Sequence, residues 1–274
     1  MGYLLKIYRS LFLRRAFYRW HKGLFLLGLS GLGILNYNEN RSRPEERFLR
    51  NLFQGRKQAT VLDIGAHRGS YAAQVMAAVS SAVVYAFEPH PNTFPFLAAS
   101  AEQLGFQALN FACGDCNGIA TLYDYSKEEA GSEHASIYQD VIPKSDGGEV
   151  LSWDVTIITV DDFLQEHAMA RVDLLKIDTE GNELKVLLGA SHAIAERKID
   201  VVQFEFNDMN IASRVFFKDF YTALPGYQFY RMLPDGLVAL GEYSPIICEL
   251  FSCQNIVAIR IGALPAETLK NLGV

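Results

Sequence analysis

Acidic residues stand at or just past the ends of several apolar runs in this chain. Asp63 lies in Val61-Leu62-Asp63-Ile64, Glu88 follows Tyr85-Ala86-Phe87, Asp178 follows Leu174-Leu175-Lys176-Ile177, and Glu205 follows Val201-Val202-Gln203-Phe204. The first run leads into Gly65-Ala66-His67-Arg68-Gly69-Ser70, which predicts a strand, a tight turn and a helix. Glycines in such a turn let backbone approach a ligand with no Cβ in the way, and a helix start leaves N–H groups that can meet a polar ligand. Glu88 comes nineteen residues after Gly69, where an acid can accept hydrogen bonds from a ribose diol. The pattern Asp63-x-Gly65-x-x-x-Gly69 is not the G-x-G-x-x-G of dinucleotide sites. An acid before the first glycine repels a pyrophosphate and suits a cofactor with a cationic amino-acid end, such as S-adenosylmethionine. Two glycines alone would also fit a plain strand-to-helix turn; Glu88 weighs against that.

The elements that must hold these residues alternate regularly. Strands are expected at 60–64, 82–87 and 106–112, with helices at 70–79 and 92–104 between them. Further strands are expected at 118–125, 150–159, 172–178 and 201–206, and helices at 159–167 and 183–195. Strands alternating with helices imply parallel βαβ units, and in such sheets ligands gather outside the carboxyl ends of the strands. Asp63, Glu88, Asp115, Asp178, Glu180 and Glu205 should therefore share one rim. The polar stretch 126–148, which contains His134, reads as a lid, a substrate loop or a solvated hairpin tip.

A carboxylate at this rim could take a proton from a hydroxyl, most effectively if burial raises its pKa. Asp178 is the first choice. Glu180 serves equally as a base or as a cap on the following helix, and His134 and His67 are alternative bases. Asp178, Glu205 and Asn207 carry oxygens that could hold Mg²⁺, which the pattern does not require. Cys113 and Cys116 have metal-ligand spacing, with Cys248 and Cys253 as potential completing thiolates; two loosely spaced pairs in strand-like text are a weak zinc signature, and no metal site is assigned.

Taken together, Leu62-Asp63-Ile64-Gly65-Ala66-His67-Arg68-Gly69-Ser70-Tyr71, Ala86-Phe87-Glu88-Pro89, Gly114-Asp115 and Leu175-Lys176-Ile177-Asp178-Thr179-Glu180-Gly181-Asn182-Glu183 resemble the FkbM family of S-adenosylmethionine-dependent methyltransferases. The likeness runs over about residues 60 to 206. It departs at His67, where the family usually carries Asn. The resemblance implies a class I, Rossmann-like α/β fold with a mostly parallel seven-stranded sheet and helices on both faces. It also implies methyl transfer to oxygen, often on a sugar, glycolipid or secondary metabolite. It places Gly65, Ala66 and Gly69 against the methionine part of the cofactor, Glu88 on the ribose and Asp115 near the adenine amino group, with Asp63, His67 and Asp178 also among the cofactor-binding residues. Asp178, Glu180 and Glu205 would face the methyl-transfer side.

The bulk numbers fit one large domain with an appendage. The chain has 274 residues, half of them hydrophobic, and a net charge of −6. That balance argues against a nucleic-acid-binding surface, and four cysteines in a chain of this size suit a reducing cytosol. Lys6, Arg9, Arg14, Arg15, Arg19 and Lys22 precede the first acid, Glu39. This basic, apolar leading segment, roughly residues 1–35, reads as an amphipathic helix on an anionic membrane surface or as a helical layer packed on the domain. The expected division is a helical extension over 1–58 and a methyltransferase domain over 59–274. The competing readings are a nicotinamide-dependent oxidoreductase and a non-catalytic membrane- or glycan-associated protein with a vestigial cofactor fold. The acceptor and the oligomeric state are not legible.

Overall fold

The structure, a computed structural model, describes residues 2–34, 42–125, 131–132, 134–139 and 150–274. Helices α1 (Gly2–Phe12), α2 (Tyr18–Gly31) and α3 (Ser42–Leu52) lead the chain. The alternating core follows as β1 (Thr60–Ile64), α4 (Ser70–Ala78), β2 (Val83–Phe87), α5 (Phe94–Leu104) and β3 (Gln107–Leu109). Next come β4 (Ala112–Cys113), β5 (Gly118–Tyr125), β6 (Val150–Ile158), α6 (Val160–Glu166), β7 (Val172–Ile177), α7 (Glu183–Leu188), α8 (Ser191–Ala195) and β8 (Ile199–Phe206). The last part holds α9 (Met209–Ser213), α10 (Phe217–Ala223), β9 (Tyr227–Leu233), β10 (Gly236–Ala239), α11 (Pro245–Cys248), β11 (Gln254–Arg260) and α12 (Ala266–Leu272).

The main sheet has eight strands in the order β10-β9-β11-β8-β7-β1-β2-β3. Strands β3, β2, β1, β7 and β8 run parallel, while β11 is antiparallel to both β8 and β9. This is the expected class I methyltransferase arrangement, with an eighth strand added where β10 folds back on β9. Side chains alternate across the sheet. Leu62, Ile64, Leu175, Ile177 and Phe204 enter a core with α6, α7, α8 and α10, where Phe204 stacks on Phe220 at 4.3 Å. Val61, Val84, Leu174 and Val201 face the opposite core with α3, α4, α5 and α12.

Three expectations are corrected. The single strand at 106–112 breaks after Leu109, because Asn110 Nδ2 turns to the carbonyls of Glu88 and Pro89. Ala112–Cys113 then joins a second sheet, β4-β6-β5. The single helix at 183–195 breaks at Gly189, where a Cβ would lie 1.9 Å from the Gly114 carbonyl oxygen, and Asp161 caps the new helix by accepting from the His192 and Ala193 N–H groups. At the N-terminus the chain turns at Arg15–Phe17, so two helices replace one. Helix α1 buries no side chain and α2 only Leu29, so these helices form no packed layer, and the chain after α2 meets the domain where Gly33 lies beside Met232 and Leu233. Helix α3, in contrast, sends Phe48, Leu49 and Leu52 into the sheet core. Among the described residues no helix is long and apolar enough to cross a membrane.

Candidate functional site

The carboxyl ends of β1, β2 and β7 meet where the strand order reverses, the place where an open α/β sheet leaves a crevice. The β1 turn is built for close approach. Gly65 has φ +82°, and a Cβ there would fall 1.7 Å from the Asp178 carbonyl oxygen. Gly69 has φ +85° and starts α4. The amides of the turn do not point outward as the sequence implies: Gly65 N and Ala66 N both donate to the Phe87 carbonyl, and His67 N donates to Glu88 Oε2 at 2.9 Å. The turn therefore admits a ligand through its missing side chains rather than through those three N–H groups.

Two clefts open on either side of this turn. The first, about 600 Å³, is lined by Gly65, Glu88, Phe111, Cys113, Leu122 and Asn182, with Ser132, Ala135 and Ile137 among others. Glu88 is buried, and its Oε1 accepts from His90 N at 2.8 Å. Burial raises its pKa against the pull of the His90 and His67 amides. Asn182 is 4% exposed; its Nδ2 donates to the Cys113 carbonyl at 2.9 Å, and its Oδ1 has no partner. A carbonyl can only accept, so the amide orientation is settled by chemistry. Asp115 stands in the exposed turn after β4 and does not line this cleft.

The second cleft, about 930 Å³, lies under α3 and α4 and is lined by Glu45, Asp63, Tyr71, Lys176, Asp178 and Glu180, with Ser70, Gln74 and His134 at its sides. Strand register builds its floor: Asp63 pairs with Lys176 and Lys176 with Gln203 across β1, β7 and β8. These three polar residues form a row on one face. Tyr71 donates to Gln203 Oε1 at 2.6 Å, and Gln203 Nε2 donates to Glu45 Oε1 at 2.7 Å. Lys176 Nζ donates to Asp178 Oδ2 at 2.9 Å. Burial would lower the Lys176 pKa, but Asp178 and Glu45 hold it above the usual lysine range. Asp63 is 1% exposed and its Oδ2 has no hydrogen-bond partner. Burial pushes its pKa up to about 7 despite Lys176, with Asp178 and Glu45 adding to the rise.

Glu180 and Glu183 divide two roles. Glu183 ties down the loop before α7: its Oε1 accepts from Thr179 N at 3.0 Å, Thr179 Oγ1 at 3.1 Å and Gly181 N at 3.1 Å. Glu180 faces both clefts, with Oε1 3.3 Å from His134 Nδ1. Burial raises the Glu180 pKa, His134 pulls it back, and Asp178 and Glu205 push it further up. Glu205 lines neither cleft and accepts from Asn207 Nδ2 at 2.9 Å, while Asn207 Oδ1 accepts from Met209 N. Of the oxygens that could hold Mg²⁺, Asp178 Oδ2 accepts from Lys176, Glu205 Oε1 from Asn207 and Asn207 Oδ1 from Met209 N. Cys113, Cys248 and Cys253 are buried and Cys116 is exposed, none of them in a disulfide, and among the described residues no metal-ligand cluster forms.

Part of the 126–148 segment lies outside the described residues. Residues 131–132 and 134–139 lie at the rim. Ser136 bridges Tyr123 and donates its hydroxyl to the Glu180 carbonyl at 2.8 Å. Ser132 donates through N–H and hydroxyl to Asp124, which also lies 3.2 Å from His90 Nε2. Burial raises the Asp124 pKa, but His90 and Ser132 outweigh it and hold the carboxyl down at about 2. Sequence reasoning missed Glu45, Tyr71, Lys176, Asn182 and Gln203. Its one available signal was a lysine and a glutamine inside strands otherwise buried on both faces.

A family model described as the methyltransferase FkbM domain matches residues 63–229. Hexuronic acid methyltransferase AglP of Haloferax volcanii is 24% identical over 163 residues, covering 59% of this chain and 62% of that protein. The chain thus spans about three fifths of the length of the curated relative it matches. Among solved structures, the O-methyltransferase from Bacillus cereus in complex with SAH aligns over 93% of this chain and 96% of that one, with TM-score 0.42 and 10% identity. The O-methyltransferase TomG from Streptomyces achromogenes, in complex with SAM, aligns over 80% of each chain with TM-score 0.41 and 10% identity.

Proposed function

The chain belongs to the FkbM methyltransferase family, and from that membership we propose that it moves the methyl group of S-adenosylmethionine to a hydroxyl of a sugar, glycolipid or secondary metabolite. The observation that carries this reading is Asp63: a buried carboxylate with an unpartnered oxygen, beside a glycine with no room for a Cβ. Such an oxygen calls for a donor, and the cofactor's ammonium group supplies one.

The residues present fit the rest of that cofactor. Glu88 would accept from the ribose hydroxyls, and Phe111, Cys113 and Leu122 offer an apolar wall to adenine. Asn182 Oδ1 would accept from the adenine amine, in the place the resemblance gives to Asp115, whose exposed turn lies outside the cleft. Gly65, Ala66, His67 and Gly69 shape the turn against the methionine part. The cofactor supplies an electrophilic methyl on a sulfonium. The protein must then align a hydroxyl with it and take up the hydroxyl proton. Glu180 is the better base: its pKa is raised and His134 lies beside it, whereas Asp178 is tied to Lys176 and positions that lysine instead. Glu205 acts on Glu180 through its charge.

Calorimetric titration of the full chain with S-adenosylhomocysteine tests the reading; absence of binding refutes it. The leading helices motivate a further part of the proposal, peripheral contact of residues 1–35 with an anionic membrane from the cytoplasmic side. Leu4, Leu5, Trp20, Phe25 and Leu27 are exposed there among six cations. Co-sedimentation with phosphatidylglycerol vesicles, but not with phosphatidylcholine vesicles, is the expected outcome.

A further inference from the structure

Large apolar side chains are exposed together on α9, α10 and α11. Ile211 is 60% exposed, Phe216 55%, Ile246 81% and Ile247 41%. The elements that carry them are tied to one another: Glu249, just past α11, accepts from Phe217 N at 2.8 Å and Lys218 N at 3.0 Å, and the Phe216 and Phe251 rings lie 6.2 Å apart. Scattered apolar residues need no explanation, but a grouped set marks a contact surface. Strand direction fixes where the set lies. Because β11 is antiparallel to both β8 and β9, β9 runs with β8, β7 and β1, and these strands end at one rim. Helices α9 and α10 follow the end of β8, and α11 precedes β11, whose first residue Gln254 pairs with Phe206 at the end of β8. The set therefore borders the proposed methyl-transfer site: a Cβ on Gly181, next to Glu180, would lie 3.5 Å from the Met209 Cβ at the start of α9. The leading helices join the same rim. Gly33 lies beside Met232 and Leu233 at the end of β9, and Arg231 just before them donates to the Ile247 carbonyl of α11 at 3.3 Å.

We propose that the apolar face of α9, α10 and α11 is a membrane-contact surface that sets the methyl-transfer rim against the headgroup layer of an anionic bilayer, with the leading helices as the other point of contact. The proposal rests on the methyltransferase reading for what the rim does. Charge selects a bilayer over a second copy of the chain. Lys6, Arg9, Arg14, Arg15, Arg19 and Lys22 precede every acid, so they suit an anionic surface. A two-fold contact through the same rim would gather the cations of both copies and gain nothing from them. The α9–α11 face itself is close to balanced. Arg214 and Lys218 are exposed beside the apolar set, as are Asp208 and Glu242, while Asp219 and Glu249 accept from backbone N–H groups at the start of α10. This face thus supplies the apolar half of the contact and the leading helices the charge, the two terms that hold an interfacial element to lipid.

The test uses the full chain, titrated first with S-adenosylhomocysteine; failure of wild type at that step refutes the methyltransferase reading and leaves the contact surface to be judged by the vesicles. Vesicles of equimolar phosphatidylglycerol and phosphatidylcholine are then titrated with wild type and with the triple variant Ile211→Ser, Phe216→Ser, Ile246→Ser. The triple variant should keep its S-adenosylhomocysteine affinity and bind vesicles about tenfold more weakly. Orientation is read separately, with no dependence on that variant's folding. Ile261 is 57% exposed just past the end of β11, at the opposite edge of the sheet. In vesicles with brominated acyl chains, Ile246→Trp should be quenched beyond the background of Trp20 and Trp153, and Ile261→Trp should not. No vesicle binding by wild type, vesicle affinity unchanged in the triple variant, equal quenching at the two positions, or dimerisation of wild type that the triple variant abolishes overturns the inference.

Discussion

The two clefts beside the β1 turn share Gly65, His67, Asp178 and Glu180, yet their chemistry differs. The first is largely apolar, and its carboxylate Glu88 already accepts two backbone N–H groups. The second holds four carboxylates around one lysine and leaves two buried acceptors unmet. The first thus offers a preformed, largely apolar wall, and the second offers unmet acceptors. Preorganised hydrogen bonds around Glu88 hold a site in place before binding, whereas the charge crowding around Asp63 is relieved only when a ligand arrives.

The comparison breaks most severely at the shared turn. Gly65→Ala would force a Cβ against the Asp178 carbonyl at 1.7 Å, so S-adenosylhomocysteine binding should vanish and stability should drop by about 2–4 kcal/mol, read by calorimetry and denaturant titration. Glu180→Gln should lower methyl transfer by about 10²–10⁴-fold while leaving S-adenosylhomocysteine affinity within a few-fold, measured with labelled S-adenosylmethionine. Asn182→Ala should weaken S-adenosylhomocysteine by about 1–3 kcal/mol, the cost of an unmet polar contact. An analogue with a carbonyl in place of the adenine amine should bind wild type poorly and lose the difference in the variant.

The smallest effect is on pH. With Asp63 pushed up to about 7, its ionised form, which pairs with an ammonium group, grows as pH rises. Cofactor affinity should climb from about pH 6 to about pH 8, by no more than about tenfold per unit. For the free protein the sign is opposite. Between the ordinary carboxylate range and about 7 the native state holds the extra proton, so stability falls as pH rises through that window. Asp63→Asn should flatten both curves.

Much of the β1 turn and of the two acids beside it was legible because these residues sit close together in the chain. Asp63, Gly65, Gly69 and Glu88 fall within one βαβ unit, where turn chemistry and strand ends constrain position strongly. The second cleft was mostly illegible. Glu45, Tyr71, Lys176 and Gln203 come from two helices and two strands, and only strand register puts Asp63, Lys176 and Gln203 in one row. Glu180 reads equally as a base or a cap because acids suit a helix start by composition, and geometry alone puts it beside His134 and gives the loop N–H bonds to Glu183. Strand β4 left the main sheet because one side chain, Asn110, bonds backbone elsewhere, a choice that strand propensity does not register.

The most direct test of the account is calorimetry of S-adenosylhomocysteine with the full chain beside Glu88→Ala and Glu45→Gln. Wild type should bind saturably, Glu88→Ala should lose binding and Glu45→Gln should keep it. No binding by wild type, or binding that Glu88→Ala leaves unchanged, would contradict it.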